Sequence, residues 1–200
     1  MSRKRSKADR KLLADILALE KLPSAADRKP ELRFRRSVTV NSHYPAKKDL
    51  NGKFTCRRCG GPVPTDRKFW CSKACVASCL IMCNPGQAKT YVEMRDRGVC
   101  AACGIDTEQI KDAYKGALNL VEYTDPDRYE KFEQIRAAMR ALGFPTSGVL
   151  WDMDHRLEVV RGGGHCGLSN LETLCRPCHK VKTKKLAGER AAERKLANKV

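Results

Sequence analysis

Residues 149–179 read VLWDMDHRLEVVRGGGHCGLSNLETLCRPCH, and the fold turns on this stretch. Val149 to His155 alternate roughly as a half-buried strand does, and Leu157 to Val160 is expected to continue extended. Gly162-Gly163-Gly164 then breaks the pattern, and Leu171 to Leu174 reads as a short second strand. Pro177 suits the first turn of a helix, which is expected to run from about Arg176 into the 190s with Gly188 as its weak point. The order is strand, loop, strand, helix, with the pair Cys175-x2-Cys178 at the last junction. The fold class is therefore α+β, built on a small core that needs help from metal.

The cysteines supply that help. The chain has 11 of them, an odd number that excludes complete pairing. Cys56-x2-Cys59 is followed by Cys71-x3-Cys75, and Cys100-x2-Cys103 stands far upstream of Cys175-x2-Cys178. Thiolates two or three residues apart can turn inward on one tetrahedral zinc, because the short loop between them acts as a knuckle. Two structural Zn2+ sites follow, Cys56/Cys59/Cys71/Cys75 and Cys100/Cys103/Cys175/Cys178, each contributing folding energy. Cys79, Cys83 and Cys166 remain and read as small buried hydrophobes. Cys71, Cys75, Cys79 and Cys83 also recur every four residues, so a helix here would leave Cys75 and Cys79 competing as ligands. The turn chemistry of Gly60-Gly61-Pro62 favours the ribbon-like set.

Composition bounds the partners. In 200 residues, 40 Lys or Arg against 23 Asp or Glu give a net charge of +17, which points to a polyanion, and nucleic acid first. Aromatics make up only 6%, so one large hydrophobic centre is not expected. No apolar run is long enough to span a bilayer, and Met-Ser-Arg-Lys-Arg-Ser-Lys is not a secretory signal. A soluble cytoplasmic, nucleoid-associated protein is expected. Leu12, Leu13, Ile16, Leu17 and Leu19 place an amphipathic helix over 7–21, and Pro23 to about Lys48 reads as a loosely ordered basic arm. Three segments result: a basic helix and arm at 1–50, a four-cysteine zinc ribbon at 51–84, and a last domain at 85–200 with a helical insertion at 105–145. Helices are expected from about Ser72, from Pro85 to Arg97, and over 107–120 and 126–142.

The last domain carries the candidate chemistry. Asp154 and a neutral His179 form a ligand set suited to Mg2+ or Mn2+, and zinc at Cys178 would aim the neighbouring imidazole. His155, next to Asp154, would serve as a base. The run Arg97-Gly98-Val99-Cys100-Ala101-Ala102-Cys103-Gly104, then Trp151-Asp152-Met153-Asp154-His155, then Gly162 through Asn170 to Cys178-His179, resembles the HNH endonucleases. These are ββα-metal nucleases, and His155, Asn170 and His179 fall at the family spacing. The chain is similar to bacterial and phage members with a preceding zinc ribbon, and to the HNH domain fused to an animal annealing helicase.

That resemblance implies a metal-dependent DNA endonuclease that leaves 5′-phosphate and 3′-hydroxyl ends. Asp154 and His179 would hold one catalytic divalent ion (Mg2+ or Mn2+, with Zn2+ or Ni2+ as alternatives). His155 would be the general base, since an imidazole with an ordinary pKa of about 6.5 suits neutral pH. Asn170 would hold the loop that orients it. Thr183 stands where some members carry a further metal-binding His, so two protein ligands are expected. In the final helix, Arg176, Lys180, Lys182, Lys184 and Lys185 outnumber nearby acids and read as phosphate contacts to duplex or branched DNA. A homodimer would allow both strands to be cut. The alternative is a noncatalytic zinc-stabilised nucleic-acid-binding protein.

Overall fold

The computed structural model describes residues 6–21, 39–119 and 125–198, with Ser42 in backbone only. In chain order the elements are helix α1 (Lys7–Glu20), the single turn α2 (Val40–His43), strands β1 (Lys47–Lys48) and β2 (Phe54–Thr55), and helices α3 (Lys73–Cys83), α4 (Pro85–Asp96), α5 (Thr107–Asn119) and α6 (Pro126–Ala141). They end with strand β3 (Trp151–His155), strand β4 (Leu171–Cys175) and helix α7 (Arg176–Ala197). β1 pairs with β2 antiparallel, and β3 and β4 form a second two-stranded sheet. The architecture is α+β, as expected. No described helix is long and apolar enough to cross a membrane.

The chain divides into two compact units, Met1–Arg95 with His155–Glu172, and Asp96–Asp154 with Thr173–Val200. In the first, α1 opens with a capping box between Ser6 and Asp9 and buries Leu13 and Ile16, packing on α3. Arg58, only 5% exposed, donates to Ser78 Oγ at 3.2 Å and to the Leu19 carbonyl at 2.6 Å. One buried guanidinium thus ties the knuckle loop to α3 and to the end of α1. A small core gathers Tyr44, Cys79, Met82 and Cys83, with Val40 and Trp70 against it.

Two local expectations need correction here. Residues 40–48 of the arm are ordered: α2 and β1 lie there, and Tyr44 is fully buried with its hydroxyl 2.9 Å from Met82 Sδ. Residues 22–38 lie outside the described ones. Leu157 to Val160 does not continue β3 either, because Val159–Arg161 is a 3-10 turn. The Asn170 side chain takes both backbone groups of Leu157, which removes them from any ladder. Gly162, at φ +89°, then closes the turn in the left-handed region.

The second unit has its own core of Cys100, Met139, Phe144, Leu150, Leu174 and Cys175, with Ile110, Tyr114 and Cys178 against it. Helices α5 and α6 pack on each other, with Tyr114 and Phe132 rings 5.7 Å apart. Asp125 caps α6 through Asp127 and Arg128, with Pro126 at the first turn. Gly98 is required by its φ of +78° and because a Cβ would meet Thr107 Oγ1 at 2.9 Å. α7 runs unbroken through Gly188 and buries none of its side chains.

Candidate active site and cysteine centres

The two cysteine sets are built alike. In the first, the Cys56 N–H donates to the Gly61 carbonyl and the Gly60 N–H to the Cys56 carbonyl, both at 2.8 Å. In the second, the Cys100 N–H donates to Ile105 at 2.8 Å and the Gly104 N–H to Cys100 at 2.9 Å. Gly60 and Gly104 turn the loop at φ +77° and +75°, a conformation that suits glycine. Each set takes its other two thiols from the start of a helix. Cys71 and Cys75 flank Ser72, the N-cap of α3, and Cys175 is the N-cap of α7 with Cys178 in its first turn. Amide dipoles at a helix start favour thiolates.

All four sulfurs of each set lie within 4.8 Å of one another, with Cys71 to Cys75 at 3.5 Å, Cys59 to Cys71 at 3.6 Å and Cys103 to Cys175 at 3.8 Å. Zn–S bonds of ~2.3 Å in a tetrahedron place sulfurs about 3.8 Å apart, so the donors fit that ion. The thiol chemistry agrees. Burial opposes ionisation of Cys56, but the backbone N–H groups of Cys59, Cys71 and Arg58 outweigh it and bring the thiol down to about 7. Cys100 is likewise brought to about 7 by the backbone at Cys175, Cys103 and Ala102, against its burial. Burial and the crowding sulfurs push Cys75 and Cys178 up. Cys56 and Cys100 are thus favoured as thiolates while Cys75 and Cys178 resist, which is the situation a dication relieves. Cys79 is not in the first set; it and Cys83 are buried, and Cys166 is half-buried.

β3 and α7 assemble the other candidate group within the second unit. Side chains two apart on a strand share a face, so Asp152 and Asp154 point the same way. Residues three apart on a helix are neighbours, which groups Arg176, His179 and Lys182. These faces meet. Asp152 Oδ2 lies 2.9 Å from His179 Nδ1 and 3.2 Å from Arg176 Nη1, and Asp154 Oδ2 lies 3.0 Å from Lys182 Nζ. Of the five cations expected to meet phosphate, Arg176 and Lys182 thus engage β3 carboxylates, while Lys180, Lys184 and Lys185 are exposed. A cleft lined by Arg140, Phe144, Val149, Arg176 and Lys180 opens beside them. Asp152 is one residue that sequence reasoning missed, although strand alternation around Asp154 would have found it.

Within the first unit, Asn170 closes the loop that follows His155, the last residue of β3. Asn170 Oδ1 accepts the Leu157 N–H at 2.9 Å, and Nδ2 donates to the carbonyls of Leu157 at 3.1 Å and Gly163 at 2.8 Å. Gly163 is fixed by space, because a Cβ would lie 1.7 Å from the Leu157 carbonyl oxygen. The turn bearing Asn170 is itself held. Glu20 at the end of α1 accepts the N–H groups of Leu168 and Ser169, and Arg95 donates to the carbonyls of Leu168 at 2.6 Å and Leu171 at 2.7 Å. Neither Glu20 nor Arg95 carries a sequence signal for this role.

A family model described as HNH endonuclease matches residues 143–185. Two curated proteins, both named DNA annealing helicase and endonuclease ZRANB3, are similar. That of Mus musculus is 31% identical over 162 residues, 74% of this chain and 15% of that protein. That of Homo sapiens is 30% identical over 160 residues, again 74% of this chain and 15% of that protein. The chain thus spans about 15% of the length of the curated relatives it matches. No solved structure matches. These relatives are animal proteins, and they lend no support to a bacterial or phage origin.

Proposed function

The chain carries an HNH endonuclease domain over residues 143–185, and from that premise we propose that it is a divalent-metal-dependent nuclease hydrolysing phosphodiester bonds in DNA, leaving 5′-phosphate and 3′-hydroxyl ends. The observation that carries this reading is the meeting of β3 and α7, where the carboxylates at 152 and 154 face the helix positions 179 and 182. Asp154 and His179 supply the ligands, one carboxylate oxygen and one imidazole nitrogen, a set suited to Mg2+ or Mn2+. Such an ion, when bound, stabilises charge on the phosphorus centre and on the departing 3′ oxygen. Lys182 Nζ beside Asp154 gives that carboxylate a cation as its neighbour and, once displaced, is within reach of substrate phosphate.

His155 follows Asp154 in the chain and takes the proton from the attacking water. The water oxygen forms the new bond to phosphorus, the bond to the 3′ oxygen breaks, and that oxygen leaves with the electron pair and takes a proton from solvent to become the hydroxyl. Asn170 keeps the loop after His155 closed and so restricts how the imidazole sits. Lys180, Lys184 and Lys185 on α7 hold the DNA backbone without reading bases. Structural zinc in the two four-cysteine sets fixes the helix starts, and so the direction in which α7 presents His179. The printed names of the relatives, which join an endonuclease to a DNA helicase, support DNA as the substrate.

Conversion of supercoiled plasmid with Mg2+ or Mn2+ tests this reading, with His155→Ala and an EDTA control alongside. Metal-dependent nicking is expected, and His155→Ala lowers its rate about a hundred- to ten-thousandfold while salt-sensitive DNA binding persists. Normal cutting by the mutant would refute the assigned base. Salt-sensitive binding by zinc-loaded wild type with no cutting of plasmid or branched DNA would instead make the chain a binding module.

A further inference from the structure

Asp152 lies outside the catalytic set assigned above, yet it is the polar group bonded to His179. We propose that Asp152 is a positioning residue that fixes the tautomer and orientation of His179, so that Nε2 is presented as the metal ligand. The inference rests on the reading of His179 as a ligand. Asp152 Oδ2 lies 2.9 Å from His179 Nδ1, and an ionised carboxylate can only accept. In the neutral ring so bonded, the proton sits on Nδ1 and Nε2 keeps its lone pair. A neutral imidazole left to water favours the opposite tautomer, with the proton on Nε2, where it cannot ligate. The contact also blocks rotation of the ring about its last torsion, which would exchange Nδ1 with a carbon.

The carboxylate is itself held. Arg176 Nη1 approaches the same Oδ2 at 3.2 Å, and the Arg176 N–H donates to the Leu150 carbonyl at 3.0 Å, so the guanidinium springs from a fixed point. Arg176, Asp152 and His179 form a relay in which each member sets the next. An ordinary exposed ion pair has no such consequence, because neither partner would depend on a tautomer. Carboxylates behind a ligating imidazole act in this way at metal sites, where their loss costs about ten- to a hundredfold in metal affinity.

The test uses the full chain with its structural zinc in place, as wild type, Asp152→Asn, Asp152→Ala and His179→Ala. Mn2+ affinity is measured by electron paramagnetic resonance, and the His179 tautomer by long-range nitrogen–proton correlation without added Mn2+. Asp152→Ala is expected to weaken Mn2+ binding about ten- to a hundredfold and to move the His179 proton toward Nε2. Nicking should recover at high Mn2+, with zinc content and melting unchanged. Asp152→Asn, whose amide oxygen can still accept from Nδ1, should fall between it and wild type. Wild-type affinity and an unchanged tautomer in Asp152→Ala, with His179→Ala binding weakly, overturn the positioning role alone. Unchanged Mn2+ binding by His179→Ala overturns the metal assignment and the positioning role together.

Discussion

Replacing Asn170 tests whether the loop between the strands is held by one side chain. Asn170→Ala removes three hydrogen bonds, to Leu157 N–H, Leu157 C=O and Gly163 C=O. A typical bond contributes about 0.5–1.5 kcal/mol net. The two to Leu157 lie near solvent and belong at the low end, while the one to Gly163 is partly buried. The sum is about 2 kcal/mol, which for a chain of this size lowers the melting temperature by roughly 4–8 °C. Asn170→Asp sharpens the test because it keeps the size and the acceptor for Leu157 N–H. It turns the donor into an oxygen facing carbonyls at 3.1 and 2.8 Å, so at neutral pH it should cost at least as much as Ala. Thermal melting of zinc-loaded protein measures both, with plasmid nicking as the functional readout. A melting temperature within about 1 °C of wild type for either variant would refute the reasoning, since the loop would then close without the side chain.

Acid should destabilise the first unit through His165. Burial first, and then the neighbouring His43, hold its pKa down at about 4 against an ordinary 6.5, while the Met82 carbonyl opposes the drop. The folded state keeps this ring neutral and the unfolded state protonates it more readily. Its contribution is therefore complete above about pH 6.5 and lost as pH falls toward 4, at most about 3 kcal/mol. Asn tolerates the left-handed backbone found at His165 (φ 45°), so His165→Asn should flatten denaturant midpoints between pH 7 and 4.5; a slope equal to wild type would count against it. Cys100→Ser should remove one zinc per chain by native mass spectrometry, whereas Cys166→Ser should remove none. Glu20→Ala, which frees the N–H groups of Leu168 and Ser169, should cost about 1–2 kcal/mol and slow nicking, although it lies on a helix remote in sequence. Unchanged melting and nicking would show that α1 does not support the Asn170 turn.

What was legible in the sequence divides along a physical line. Helix α6 could be read from Asp125-Pro126 at its start and Gly143 after its end, and α3 from the cap at Ser72, because caps and turns act over three or four residues. The cysteine sets were legible for the same reason: each knuckle is local, and only the partnering of distant pairs had to be inferred. Legibility failed where a side chain overrules the local preference from afar. Leu157 to Val160 has a strand's composition, but Asn170, thirteen positions from Leu157, takes its backbone groups. Glu20 lies 148 positions from the amide it accepts, and no periodicity announces that. Asp152 is a different case, since strand alternation and helix spacing were both available. Positions 152 and 154 share a strand face, and 176, 179 and 182 share a helix face. If 154 and 179 serve one ion, as proposed, then 152 must face the same helix, and an acid there has a basic helix to meet. The adjacency of Asp154 and His155 drew the reading along the chain, whereas the face that orders His179 runs across it.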